Sequence, residues 1–154
     1  MKGLIGGQEQ DLAADKTAGL ENADSRHVTH IHELKTGALF VAAGEAGGVV
    51  AGLEGDQLLP IRQFAARLGL AYQTLDDLID AQATSESAGK DVHQDVDKPT
   101  LVRLLGSEMA ADYANNMIAA AMDALQHLDR DMRPLQSLVE SVIARPAASR
   151  RRIN

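Results

Sequence analysis

Between Gln57 and Ala81 the apolar residues Leu58, Ile61, Phe64, Ala65, Leu68, Tyr72, Leu75 and Ile79 recur at steps of three and four. That spacing lines one face of an α-helix. A stripe of this length commits the chain to a long helix whose apolar side must be buried against other helices. Pro60 fits the first turn of such a helix if it begins nearby. No segment reads as a strand. Alanine is the commonest residue, 25 of 154, and aromatic residues are only 3%, a composition suited to closely packed helices rather than a β-sandwich. The expected fold class is all-α, in one domain, because 154 residues fall within the ~100–200 of a single domain.

The remaining segments are consistent with that reading. Gly3 to Ala14 carries Leu4, Ile5, Gln8 and Leu12 at helical spacing, although Gly6 and Gly7 each weaken an isolated helix by ~1 kcal/mol. Paired glycines inside a helix imply that something approaches closely. LENADSRH reads as a loop, and His27 to about Gly52 as a helix apolar nearly all round, hence buried, with GLEGD closing it as a turn. After the long helix, Gln82 to Pro99 loses apolar periodicity and reads as a polar loop. Leu101 to Leu105 reads as one helical turn, Ser107 to about Leu128 as an amphipathic helix and about Pro134 to Ala144 as a last helix. RPAASRRRIN follows as a tail.

Charge and composition exclude several classes of function. Fifteen Lys and Arg face 22 Asp and Glu, a net charge of -7, which argues against nucleic acid and anionic lipid as partners. There is no cysteine, so disulfides, thiolate metal sites and cysteine nucleophiles are excluded. No uncharged apolar run reaches the ~18 residues of a membrane span, and the start lacks the apolar core of a signal peptide, so a cytoplasmic protein without a membrane span is expected.

Three local patterns could carry chemistry. In LAYQTLDDLIDA, Gln73, Asp76, Asp77 and Asp80 form one helical stripe in which Asp76 and Asp80 repel each other, by ~0.2–0.5 kcal/mol if exposed. A cation between them accounts for the arrangement, and hard oxygen ligands favour Mg²⁺ over Zn²⁺. A solvated acidic face accounts for it equally well. Lys35, Thr36 and Gly37 interrupt an apolar helix. There a lysine meets either an anion, with Gly37 leaving room beside the ammonium, or the solvent along its own stem. The loop GKDVHQDVDKPT places Lys90 and Lys98 among aspartates, either as ligand contacts or as a mixed-charge surface. His30 and His32 lie ~200° apart on a helix, a poor zinc arrangement, whereas His32 is spaced to hydrogen-bond beside Lys35 and Thr36.

Taken in order, GGQEQD, IHELKTGALF, LGLAYQTLDDLID and GKDVHQDVDKPTLVRLLG resemble the C-terminal half of the trans-isoprenyl diphosphate synthases, the polyprenyl synthetase family. The GKDVHQD loop most resembles bacterial geranylgeranyl diphosphate synthases. The resemblance covers roughly residues 3–130. It makes 1–145 a partial polyprenyl synthetase domain, the C-terminal half of an isoprenoid-synthase helical bundle, with 146–154 a basic tail expected to be disordered. The family reaction it implies is Mg²⁺-dependent condensation of an allylic diphosphate with isopentenyl diphosphate. By resemblance Asp76 would be the direct magnesium ligand, with Asp77 and Asp80 supporting it. Lys35, Thr36, Gln73, Lys90 and Lys98 would contact the allylic diphosphate, and Gln8 and Asp11 would line the cavity or stand behind it. Catalysis would fall to Lys35, Asp76, Asp77 and Asp80.

The chain also departs from the family pattern. Family enzymes are about twice as long, and their first aspartate-rich motif and basic isopentenyl diphosphate pocket have no counterpart in these residues. The sequence therefore suggests a truncated synthase with little or no activity alone, a non-catalytic subunit that pairs with a complete synthase and modulates it, or the remnant of a decayed gene. Helices around Ala38 to Val50 and Phe64 to Leu75 should expose apolar surface and drive self-association or capture by such a synthase.

Overall fold

The computed structural model describes residues 3–9, 24–87, 99–126 and 128–150. Every regular element among them is helical. Helix α1 covers residues 4–9. Helix α2 (Ser25–His32) and α3 (Ala38–Val50) are joined by a π-helical turn, Glu33–Gly37. A 3-10 turn, Gly55–Leu58, leads into α4 (Leu59–Ser87), followed by α5 (Leu101–Leu105), α6 (Ser107–Leu125) and α7 (Arg133–Arg150). No helix among the described residues is long and apolar enough to cross a membrane.

Caps explain where several helices begin, and where the sequence reading misplaced an end. Asp24 caps α2, its carboxylate accepting the Arg26 N–H at 3.1 Å, so Ser25 and Arg26 are helical rather than part of a loop. Gly52 and Gly55 take φ of +82° and +51°, which turns the chain between α3 and α4 at little steric cost. Thr100 caps α5. Helix α6 starts behind Gly106 at φ +84°, with no side-chain cap, so Ser107 is its first helical residue and not its capping one. It ends at Leu125, and Leu128 packs against the core from the bend beyond. Helix α4 continues to Ser87 where a loop from Gln82 is expected. Polar residues without glycine or proline can prolong a helix past the core. Helix α7 also runs past Ala144, through Pro146, to Arg150.

Helix α4 is the axis of the packing. Its Ile61, Phe64, Ala65 and Leu68 form one core with Ala121, Ala124 and Leu125 of α6 and Val139 and Val142 of α7. Leu78, Val102 and Ala110 form a second core farther along. Fully buried Ala71, Ala110, Ala114 and Ala121 let α4 and α6 approach closely, which is the use of alanine expected from composition. Phe64 to Leu70 is therefore covered within the chain, against the expectation that this stretch would lie open. Helix α3 does lie open: Leu39 is 61% exposed and Val50 89%.

The π turn explains which face of α3 is hidden. Helix α2 buries Val28, Ile31 and His32. Continued in α register, that face would carry Leu39 inward. One extra residue in the turn delays the register, so Gly37, Gly44 and Gly48 face α4 and its approach instead, and Leu39 turns outward. A Cβ on Gly44 would meet that of Ala65 at 3.0 Å, and one on Gly69 would lie 3.1 Å from the Gly37 Cα. Gly37 thus serves helix packing against α4, and the room it was expected to leave beside the Lys35 ammonium is not its evident use.

Candidate functional site

The π turn and the middle of α4 bring the KTG and DDLID motifs together. Lys35 and Thr36 are half-buried on the turn. The Thr36 hydroxyl donates to Gln73 Oε1 at 2.8 Å, and Gln73 Nε2 donates to Asp77 Oδ1 at 3.1 Å. The other Asp77 oxygen faces His32 Nε2 at 3.7 Å. His32 and Asp77 are both buried, so a polar row joins α2, the π turn and α4. Short π-helical segments inside α-helices recur at functional sites, and this one carries two predicted ligand contacts.

The four residues of the stripe divide by environment. Asp77 is buried within the helix packing, Gln73 and Asp76 are half-buried, and Asp80 is exposed. The Asp80 carboxyl is held above the usual range, first by partial desolvation and then by the Asp76 charge. A carboxyl held up by a neighbouring carboxylate charge suits a divalent cation. Among the described residues, however, no three Asp, Glu or His side chains converge as a metal cage. This donor set fits Mg²⁺, which keeps waters and takes substrate phosphate oxygens beside one or two carboxylates. It does not fit zinc.

Helix α1 reaches the same region through its backbone. A Cβ on Gly7 would lie 2.5 Å from the Lys35 backbone nitrogen, so the close approach implied by the paired glycines is to the KTG segment itself. Gln8 on that helix is exposed. Asp11, Lys90 and Lys98 lie outside the described residues.

Beside the π turn, a groove of about 740 Å³ opens between α3, α4 and α6. Gly37, Val41, Ala66, Leu70 and Met117 give it an apolar wall, with Tyr113 at its edge. In sequence, Tyr113 is marked only as part of the amphipathic helix α6. Its phenol hydrogen-bonds with Thr29 and is pushed above its usual range, chiefly by burial. Tyr113 is therefore expected to ionise above pH 10 in a spectrophotometric titration. Its contribution to stability is present below pH 10 and lost as pH rises through the folded-state value. A Tyr113→Phe chain should lack the late step.

The family model described as Polyprenyl synthetase matches residues 1–142. The chain belongs to the polyprenyl synthetase family. A relative, geranylgeranyl pyrophosphate synthase 10 (mitochondrial) of Arabidopsis thaliana, is 32% identical over 148 residues, covering 94% of this chain and 43% of the relative. The crystal structure of an FPP/GFPP synthase from Zymomonas mobilis superposes with TM-score 0.74 at 33% identity, over 91% of this chain and 45% of that one. Geranyltransferase from Helicobacter pylori, complexed with magnesium and isoprenyl diphosphate, gives TM-score 0.66 at 29% identity, over 97% and 47%. This polyprenyl synthetase chain thus spans less than half the length of the relatives it matches, and its all-helical fold is that of prenyl synthases.

Proposed function

We propose that these 154 residues form the part of a prenyl diphosphate synthase, geranylgeranyl diphosphate synthase-like, that receives an allylic diphosphate with Mg²⁺. The observation that carries this reading is the Thr36 to Gln73 hydrogen bond, which ties the lysine-bearing turn to the aspartate-bearing helix. In this reading Lys35, Thr36 and Gln73 hold the diphosphate, and Lys90 and Lys98 add positive charge to it. Asp76 and Asp80 provide the oxygens for magnesium, with Asp77 behind them and Gln8 and Asp11 at the cavity edge. When bound, the metal neutralises charge on the departing diphosphate. The ammonium of Lys35 stabilises the same charge, and the apolar groove beginning one residue from Thr36 keeps water from the prenyl chain.

Titration calorimetry with pyrophosphate tests the site. Binding is expected with Mg²⁺ and much weaker without it, and a Lys35→Ala, Asp76→Ala double variant should lose the Mg²⁺-dependent heat. Equal heats for variant and wild type would remove the assignment.

A second reading, a non-catalytic subunit that modulates a complete prenyl synthase, is favoured by the apolar outer face of α3, where Leu39, Val49 and Val50 are exposed. Co-expression with a complete synthase should then raise the soluble yield, and the two should sediment together in analytical ultracentrifugation. A stable monomer that ignores the synthase would count against it.

A further inference from the structure

Asp77 differs from its neighbours in what it does for the others. An ionised carboxylate only accepts hydrogen bonds, so the Gln73 amide must turn its NH2 toward Asp77 Oδ1, as it does at 3.1 Å. That leaves Gln73 Oε1 to face Thr36, and the Thr36 hydroxyl donates inward at 2.8 Å. Reversing the amide would set its carbonyl against the carboxylate, a repulsion that the Thr36 hydroxyl, able to accept as well as donate, would not offset. The direction of the whole row is therefore set at Asp77.

Asp77 is in turn faced by His32, the residue immediately before the π segment. The 3.7 Å between Nε2 and Oδ2 exceeds a hydrogen bond, so Nε2 meets the carboxylate as a polar group facing it rather than through a formed bond. Both side chains are about nine-tenths buried, where such a contact is screened little. We propose that His32 is a positioning residue. By holding Asp77 turned toward α2, it fixes the orientation of the Gln73 amide, and so which groups Gln73 and Thr36 present to a ligand. Naming that ligand a diphosphate rests on the function proposed above; the orientation of the amide does not. For an oxyanion with acceptors only, the consequence is specific. The ligand must draw the Thr36 proton away from Gln73, while Gln73 keeps a second N–H to offer.

Conservative substitutions separate this role from the filling of space. A glutamine places its amide nitrogen where the histidine has Nε2, an asparagine where it has Nδ1, and a leucine supplies volume alone. The first readout is the side-chain amide resonance pair of Gln73 in the ligand-free chain, assigned by its loss in Gln73→Leu. The second is pyrophosphate binding with Mg²⁺, and thermal melting is followed alongside. His32→Gln should leave the Gln73 resonances near their wild-type positions and binding within about twofold. His32→Asn and His32→Leu should shift the resonances and weaken binding by ~10–100-fold, as loss of a group supporting a ligand typically does. Asp77→Asn should shift the Gln73 pair as well, whatever occupies position 32.

Resonances that stay put in His32→Asn, His32→Leu and Asp77→Asn would overturn the proposal, even if the wild type binds pyrophosphate. So would a ranking by volume, with leucine better than glutamine. Resonances that shift as described in a chain that does not bind pyrophosphate would support the positioning role and remove the proposed function instead.

Discussion

Mixed with an allylic diphosphate, isopentenyl diphosphate and Mg²⁺, the 154 residues on their own are expected to give no elongated prenyl diphosphate at an ordinary enzymatic rate of ~1–10³ s⁻¹. Ionising the allylic carbon–oxygen bond demands preorganised positive charge around the departing diphosphate, and each missing donor of that kind costs ~10²–10³ in rate. Capture of the cation further requires a second substrate held in place, an advantage equivalent to as much as ~10⁵–10⁸ M of effective concentration. Here one aspartate stripe, on α4, and one lysine-bearing turn come together. Among the described residues no three acidic or histidine side chains converge to hold a metal ion. Losing both contributions together should lower turnover by many orders of magnitude. Mass spectrometry of the products decides it, and ordinary turnover would mean that these residues build a complete site, for example by pairing with a second copy.

Leu68→Ala should be the most damaging single truncation of the core. Leu68 is 1% exposed and lies where α4 meets α6 and α7. Removing a leucine from such a place costs ~2–5 kcal/mol, through lost transfer energy and the cavity left behind. Against a total stability of ~5–15 kcal/mol that is a large fraction, and at ~2–4 °C per kcal/mol the Tm should fall by roughly 5–20 °C. Leu39→Ala, at a site 61% exposed, should move stability by no more than ~0.5 kcal/mol. Denaturant melts of the two variants give the comparison, and equal losses would place the core somewhere other than between α4, α6 and α7.

The long helix and the existence of its partners were legible because their apolar residues repeat on one face, and Leu68, Phe64 and Ala65 are buried as that stripe requires. Alanine content foretold closely packed helices, though not that Ala71, Ala110 and Ala114 would bring α4 and α6 together. The π turn was not legible. In a stretch apolar on every side, a shift of register moves one apolar residue in and another out, so the pattern carries no trace of it. The site was half readable: spacing put Gln73, Asp76, Asp77 and Asp80 on one stripe, and the charges are all that sequence conveys. Which of them faces another helix depends on α2, and only the fold sets His32 opposite Asp77. Helix ends past the core, as at Gln82 to Ser87, were missed because polarity marks exposure rather than the absence of a helix.

The approach of Gly7 to the Lys35 backbone nitrogen has a bearing on how the site is assembled. Helix α1 meets the turn through glycine backbone, Gly6 and Gly7 being buried, while Leu4 and Ile5 remain 48% and 69% exposed. It is therefore held by shape more than by buried side chains. A side chain at position 7 would have to push the turn's backbone aside, so glycine there lets α1 lie directly against the segment that carries Lys35.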